Sequence, residues 1–161
     1  MLRKRDETCP ISLDDLREWN YIDDTTFDTK LQLCLAAAIS AAESYINQVV
    51  WPSSFVLNFS GVPREVEIQP YPVSSVAVSV DDAELSPELY ALNGDILRID
   101  ASVEGAATKI TVKAGYEILD PDIKSAILLI ASEMFRNPTD SVKQLPTASK
   151  LLLDPHRNAN I

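Results

Sequence analysis

Phe27-Asp-Thr-Lys-Leu-Gln-Leu-Cys-Leu-Ala-Ala-Ala-Ile-Ser-Ala-Ala-Glu-Ser-Tyr-Ile46 is the segment from which the architecture follows. Phe27, Leu31, Cys34, Leu35, Ala38, Ile39, Ala42, Tyr45, Ile46 and Val49 recur three and four residues apart, which is the spacing of one helical face. The run Ala36-Ala-Ala-Ile-Ser-Ala-Ala42 adds high helix propensity and a narrow cross-section. Such a face can lie close against another helix. Trp51-Pro52 ends the pattern, because proline has no N–H with which to continue it.

Upstream of this helix, residues 1–11 read as a loose arm. Ser12-Leu-Asp-Asp15 then predicts a helix start: Ser12 can cap, and Asp14 and Asp15 sit where the helix dipole favours negative charge. Leu13, Leu16 and Trp19 give that short helix an apolar side. Asp23-Asp-Thr-Thr26 predicts a break and a second cap.

Downstream, residues 53–116 change from helical to alternating patterns. Ser54–Phe59, Val66–Ile68, Val73–Val80, Glu88–Leu92, Asp95–Ile99 and Thr108–Lys113 read as strands, with Asp81-Asp82 and Asn93-Gly94 as turns. This predicts a small antiparallel β unit of five or six strands. Asp120-Pro-Asp122 opens another helix, with Asp120 as N-cap and Pro121 at its first position. Ile123, Ala126, Ile127, Ile130, Ala131, Met134 and Phe135 form its apolar face, which Leu128 and Leu129 widen. Residues 137–145 read as a polar loop. Ala148–Leu153 reads as a short helix stopped at Asp154-Pro155, followed by an extended tail from His156 to Ile161.

The order is helix, helix, strands, helix, short helix. That segregation predicts an α+β class: a helical core made of the long Ala-rich helix and a C-terminal helix, with a small antiparallel β unit inserted. At 161 residues, one domain with one core is expected. Its parts are the arm at 1–11, helices at 12–52, the β unit at 53–116, a helix at 120–136 and a C-terminal segment at 145–161.

Composition narrows the function. No apolar run approaches the roughly 20 residues that span a bilayer, so no membrane partner is expected. Charged residues at the start are not followed by the apolar stretch of a secretory leader. Cys9 and Cys34 lie far apart with no CxxC, which fits a reducing compartment better than a disulfide scaffold or zinc site. The chain carries a formal charge of −10. Residues 1–60 hold 5 basic and 9 acidic side chains (net −4), residues 61–119 hold 4 and 10 (net −6), and residues 120–161 hold 5 and 5. An acidic chain does not bind nucleic acid by neutralising phosphates over a broad face. Its charge serves solubility, or keeps a surface near DNA from sticking to it.

Catalytic signatures are missing. No phosphate-cradling glycine loop, dinucleotide fingerprint or nucleophile elbow is present, and the four glycines are scattered. His156 is the one histidine and has neither a second histidine nor a paired cysteine, so it reads as a tail residue rather than a base or ligand. Asp14-Asp15, Asp23-Asp24 and Asp81-Asp82 read as caps and turns, since a metal needs oxygen ligands converging from several elements. Cys34 falls in the apolar stripe of its helix, which predicts packing. No cofactor, metal site or enzyme activity is expected. Positive signals come from surface: the 120–136 helix and the Leu145–Leu153 segment are more apolar than a core of this size easily hides, which favours association.

These features, in this order, resemble the bacteriophage head–tail connector proteins, the adaptor family beneath the portal ring, including prophage and gene-transfer-agent versions. Four stretches carry the resemblance from about residue 12 to 157. They are Ser12–Arg17 with Asp23-Asp24 and Ala41-Ala-Glu-Ser-Tyr-Ile46; Ile68–Val76 with its prolines; Val112–Tyr116 followed by Pro121–Leu129; and Leu145-Pro146 with Leu151-Leu152 and Pro155-His-Arg157. Arg136-Asn-Pro138 replaces the charged Glu-Asn-Arg-Glu character usual in the family, and the arm before Pro10 is longer.

The resemblance implies a homo-oligomeric ring, twelve-fold in the family, around a channel that DNA passes without sequence-specific binding. One face would dock on the portal protein and the other on the next neck or tail protein, in a virion neck assembled in the bacterial cytoplasm. Portal docking maps onto Leu145, Pro146, Leu151, Leu152, Leu153, Pro155, His156 and Arg157. Subunit contacts are expected at Ala38, Ala42, Tyr45, Leu128 and Leu129. No catalytic residue is implied. Two other readings stand beside this one: another neck or tail-completion protein, and a soluble β-type ligand-binding module with helical flanks. The module would need an exposed aromatic cluster drawn from Phe55, Phe59, Tyr71, Tyr90 and Tyr116.

Overall fold

A computed structural model describes residues 2–6, 8–69, 71–137 and 145–158. The class is α+β, as the pattern predicts. The chain forms two compact units: Met1–Thr8 with Pro52–Tyr116, and Cys9–Trp51 with Glu117–Ile161.

The first unit is all β apart from a short 3₁₀ turn at Pro87–Leu89. Its strands are β1 (Leu2–Arg5), β2 (Ser53–Ser60), β3 (Glu65–Glu67), β4 (Val73–Val80), β5 (Ala83–Glu84), β6 (Tyr90–Asn93), β7 (Ile96–Ile99) and β8 (Ala107–Ala114). Five make one antiparallel sheet in the order β1-β2-β8-β4-β5, and three make another in the order β3-β7-β6. Alternation sets the faces. Thr108, Ile110, Val112 and Ala114 of β8 point inward beside Phe55, Val78 and Val80, while Lys109 and Lys113 point out. Val66, Leu97 and Ile99 form the covered side of the smaller sheet.

Three expectations change here. The arm is not loose over Leu2–Arg5, because it adds a strand to the free edge of β2, and Arg3 donates to Ser53 Oγ at 3.1 Å. Leu2-Arg-Lys-Arg5 has no apolar alternation, so no periodicity announced it. With β1 and the two-residue β5, the unit holds eight strands among the described residues, more than the five or six expected. The β6–β7 turn is Gly94-Asp95, with Asn93 paired to Ile96 as the last strand residue. Glycine at φ +65° takes the first loop position, the one that needs a positive φ in such a two-residue loop.

Asp81-Asp82 is a turn as read. Both residues have positive φ (49° and 65°), the geometry that matches strand twist in a two-residue hairpin. Asp81 offsets that cost by accepting from the Ala107 and Ala106 N–H groups at 2.8 and 3.1 Å. The turn is thereby tied to the start of β8.

The second unit is helical: α1 (Leu13–Trp19), α2 (Asp28–Ile46), α3 (Pro121–Arg136) and α4 (Thr147–Leu153). The Ser12 cap forms as a capping box: Ser12 Oγ accepts from Asp15 N–H at 3.0 Å and Asp15 Oδ2 from Ser12 N–H at 3.0 Å. The second cap does not. Phe27 holds the N-cap position of α2 without a side-chain bond, and Asp24 instead accepts from Thr26 N–H at 2.9 Å, one turn too early. Helix α2 ends at Asn47, which is left-handed at φ 56°, and not at Trp51-Pro52. Asp120 and Pro121 begin α3 as predicted in position, though the Asp120 side chain makes no cap bond.

Leu31, Leu35, Ile39 and Ile46 of α2 are buried with Ile123, Ile127 and Ile130 of α3, Leu16 of α1 and Leu153 of α4. Burying such a side chain fully is worth about 1.5–3 kcal/mol, so this cluster carries the unit. The polar loop expected at 137–145 falls mostly on residues 138–144, which lie outside the described residues. No helix among the described residues is long and apolar enough to cross a membrane.

Candidate docking and subunit surfaces

The C-terminal segment begins with Leu145 and Pro146, both half-buried, and runs through α4 into a 3₁₀ turn at Asp154–His156. The expected docking residues divide by exposure. Leu151 is 69% exposed, Pro155 and Arg157 are exposed, and Leu152 and His156 are half-buried. Leu153 is 0% exposed and belongs to the helical core, so it offers no docking surface in this conformation. Residues 159–161 of the segment lie outside the described residues.

This segment is strapped to the C-terminal end of α2. Tyr45 Oη donates to Asp154 Oδ1 at 2.6 Å, Gln48 Nε2 donates to the His156 carbonyl at 2.5 Å, and Asn158 N–H donates to the Ile46 carbonyl at 2.8 Å. The Arg157 guanidinium lies 5.7 Å from the centre of the Tyr45 ring. The Asn158 bond fits a helix terminus, whose last carbonyls lack partners within the helix. The hydrogen bond to Asp154 holds the Tyr45 phenol above its usual range, with burial and the carboxylate charge adding to the effect. His156 Nδ1 is 3.7 Å from Asp120, so the histidine is not a free tail residue but sits beside the start of α3.

Subunit-contact residues change more. Ala38 and Ala42 are 0% exposed, and Leu128 is 4% exposed. The close-packing face of α2 is therefore used inside the chain, and these three are core residues rather than subunit contacts. Tyr45 and Leu129 remain half-buried. Periodicity identified a face that packs closely; it carried no information on whether the partner helix belonged to the same copy.

An open cleft of about 560 Å³ lies in the helical unit, lined by Asp15, Glu18, Trp19, Tyr21, Pro121, Lys124, Ser125 and Leu128. Tyr21 on its rim is 92% exposed and left-handed at φ 56°. Lys124 Nζ bonds Asp15 Oδ1 at 2.8 Å, and this bond, chiefly, holds the Asp15 carboxyl below the usual range against partial burial. The two charged groups neutralise each other.

Among the described residues, no group of three His, Cys, Asp or Glu could hold a metal ion. Asp14 pairs with Arg17 at 2.9 Å, and the acidic pairs act as caps, turns and ion pairs. Cys9 and Cys34 are both half-buried, and burial pushes the Cys34 thiol up, away from reactivity. The aromatic cluster that a ligand-binding β module would need is not assembled. Phe55 is buried, Phe59, Tyr90 and Tyr116 are half-buried, and only Tyr71 of the five is exposed.

Register reveals a surface that composition concealed. On the outer face of the five-stranded sheet, Lys4 lies opposite Ser54, Ser54 opposite Lys113, and Lys113 opposite Ser75. Asn58, Lys109, Ser79 and Glu84 form a second such row. A chain with net charge −10 thus presents a face holding three lysines and one glutamate.

No family model matches the chain, and no curated protein matches it. Solved structures do match, over its whole length. The fold is that of gene transfer agent neck chains. One similar chain comes from the neck of an empty gene transfer agent particle computed with C6 symmetry (TM-score 0.76, 16% identity). A second comes from the virion of a native gene transfer agent particle (TM-score 0.75, 20% identity), and a third from the neck of a native particle computed with C12 symmetry (TM-score 0.72, 18% identity). Each alignment covers 100% of this chain and 97% of the other. At these identities the likeness establishes the fold.

Proposed function

We propose that this protein is a structural neck component of a phage-like particle: a head–tail adaptor whose copies form a ring under the portal and extend the DNA channel. The observation that carries the reading is the end-to-end match to gene transfer agent neck chains, with neither partner exceeding the other by a domain. The four ordered sequence stretches, which resemble the head–tail connector family, support the same reading. Work would be done by burial between copies and by ordering of segments on docking, with no bond made or broken.

Portal docking falls to the exposed part of the C-terminal segment, Leu151, Pro155 and Arg157, with Leu145, Pro146, Leu152 and His156 beside them. Tyr45 and Leu129 are the remaining candidates for contact between copies. The acidic excess suits a conduit wall, because broad attraction to phosphates would retard passage. Assembly would occur in the bacterial cytoplasm, and the product would sit in the particle neck between portal and the next neck or tail protein.

Binding of the purified full chain to purified portal rings, with and without the paired surface substitutions Leu151→Asp and Arg157→Glu, tests the reading. Saturable binding that these substitutions abolish supports the adaptor role. Binding to a downstream neck or tail protein, with none to portal, assigns the chain to a different neck position. Particles that assemble tailed and infectious without the protein overturn the proposal.

A further inference from the structure

We propose that the five-stranded sheet joins the same sheet in a second copy edge to edge, with Lys4 on β1 of one copy meeting Glu84 on β5 of the next. The inference rests on the ring reading and names the contact that would build it.

Strand order puts β1 and β5 at the two edges. Each of the four pairings between them is antiparallel, so the two edge strands run in the same direction. The edges carry opposite charge. β1 is Leu2-Arg-Lys-Arg5, while β5 and its turn are Asp81-Asp-Ala-Glu84. Arg3 is engaged with Ser53 and the Phe55 ring, and Asp81 with the start of β8, so Lys4 and Glu84 are the side chains presented outward. Register places both on the same outer face, because Lys4 shares it with Ser54, Lys113 and Ser75, and Glu84 with Ser79, Lys109 and Asn58. When one sheet continues into another, faces continue too, and a stagger of four residues along the strands, the offset between the Lys113 and Lys109 rows, brings these two side chains level.

The charge pattern also selects the symmetry. Pairing β1 with β1, or β5 with β5, sets like charges together. Pairing β1 with β5 sets opposite charges together, which is a head-to-tail contact that repeats and can close into a ring. A basic edge strand alone is a common protection against unwanted pairing. Protection does not require an acidic edge at the far end of the same face. Exposed ion pairs are individually weak, which matches a subunit that associates reversibly until a template holds it.

Charge reversal separates these possibilities. Lys4→Glu places a carboxylate at both contact positions, and Glu84→Lys places an ammonium at both. Each variant of the full chain should self-associate more weakly than the unaltered chain, by about ten-fold in dissociation constant at low salt. An equimolar mixture should recover association to within about three-fold, because every junction in an alternating assembly is again acid to base. Sedimentation velocity over a concentration series at low and high salt reads this, and circular dichroism checks that each variant is folded. The proposal is overturned if the unaltered chain stays monomeric throughout, or if the mixture sediments no faster than either variant alone. Portal binding by the unaltered chain tests the adaptor reading separately, so the two can fail independently.

Discussion

Glu43 is the residue whose replacement should most clearly expose how α2 ends. Its Oε1 accepts from the N–H groups of Val50 and Trp51, both at 3.0 Å, and the side chain is only 8% exposed. These donors lie just past Asn47, where the chain has left the helix. In Glu43→Ala the Val50 N–H, on a residue 0% exposed, loses this acceptor beyond easy reach of water. An orphaned buried donor costs about 1–3 kcal/mol, and the half-buried Trp51 donor adds about 0.5–1.5 kcal/mol. Alanine returns about 0.4 kcal/mol through helix propensity. The expected loss is about 1–4 kcal/mol, or roughly 5–30 °C in midpoint for a unit of this size. Glu43→Gln keeps a carbonyl oxygen in place and should lose less than about 1 kcal/mol. Both tryptophans, Trp19 and Trp51, belong to the helical unit, so fluorescence-monitored urea unfolding reports on it directly. A Glu43→Ala loss under about 0.5 kcal/mol, or a Glu43→Gln loss equal to it, would refute the argument that paired buried donors set this cost.

Three further outcomes are expected. A Cβ at Gly105 would stand 2.1 Å from Val80 Cγ1 and 2.9 Å from Asp81 Oδ2, so Gly105→Ala should destabilise by about 1–3 kcal/mol. Adding Val80→Ala should recover part of that in chemical denaturation, and equal additive losses would show that the clash was relieved elsewhere. The Lys124 hydrogen bond depresses the folded carboxyl of Asp15 below 3.8, so its stabilisation is present above that pH and is lost as pH falls through the folded value. The gap between the urea midpoints of the unaltered chain and Asp15→Asn should therefore be constant above about pH 4 and shrink as the pH falls below it. The Tyr45 phenol is raised above 10.0 by its bond to Asp154, so its contribution is complete below that pH and is lost as pH rises through the folded value. Ultraviolet titration should show a late-titrating tyrosine that disappears in Tyr45→Phe, and an unchanged curve would mean the strap is open in solution.

The amino-acid sequence alone determined the kinds of elements and their order. Three- and four-residue spacing named α2 and α3, two-residue alternation named β8, and Ser12 with Asp15 named the start of α1, because these signals depend only on neighbours along the chain. The C-terminal segment was also legible as a short apolar helix ending at proline. Local pattern could not say what each face meets. Ala38, Ala42 and Leu128 look like an interface and are core, since an apolar stripe has the same period whichever helix covers it. Leu2–Arg5 looks like an arm and is a strand, since its partners are β2 residues fifty positions away. Glu43 looks like a solvated helix residue, and only the chain reversal after Asn47 brings two backbone donors to it. The lysine face and the oppositely charged edges likewise came from register, which is fixed by cross-strand pairing and is absent from any count of charges.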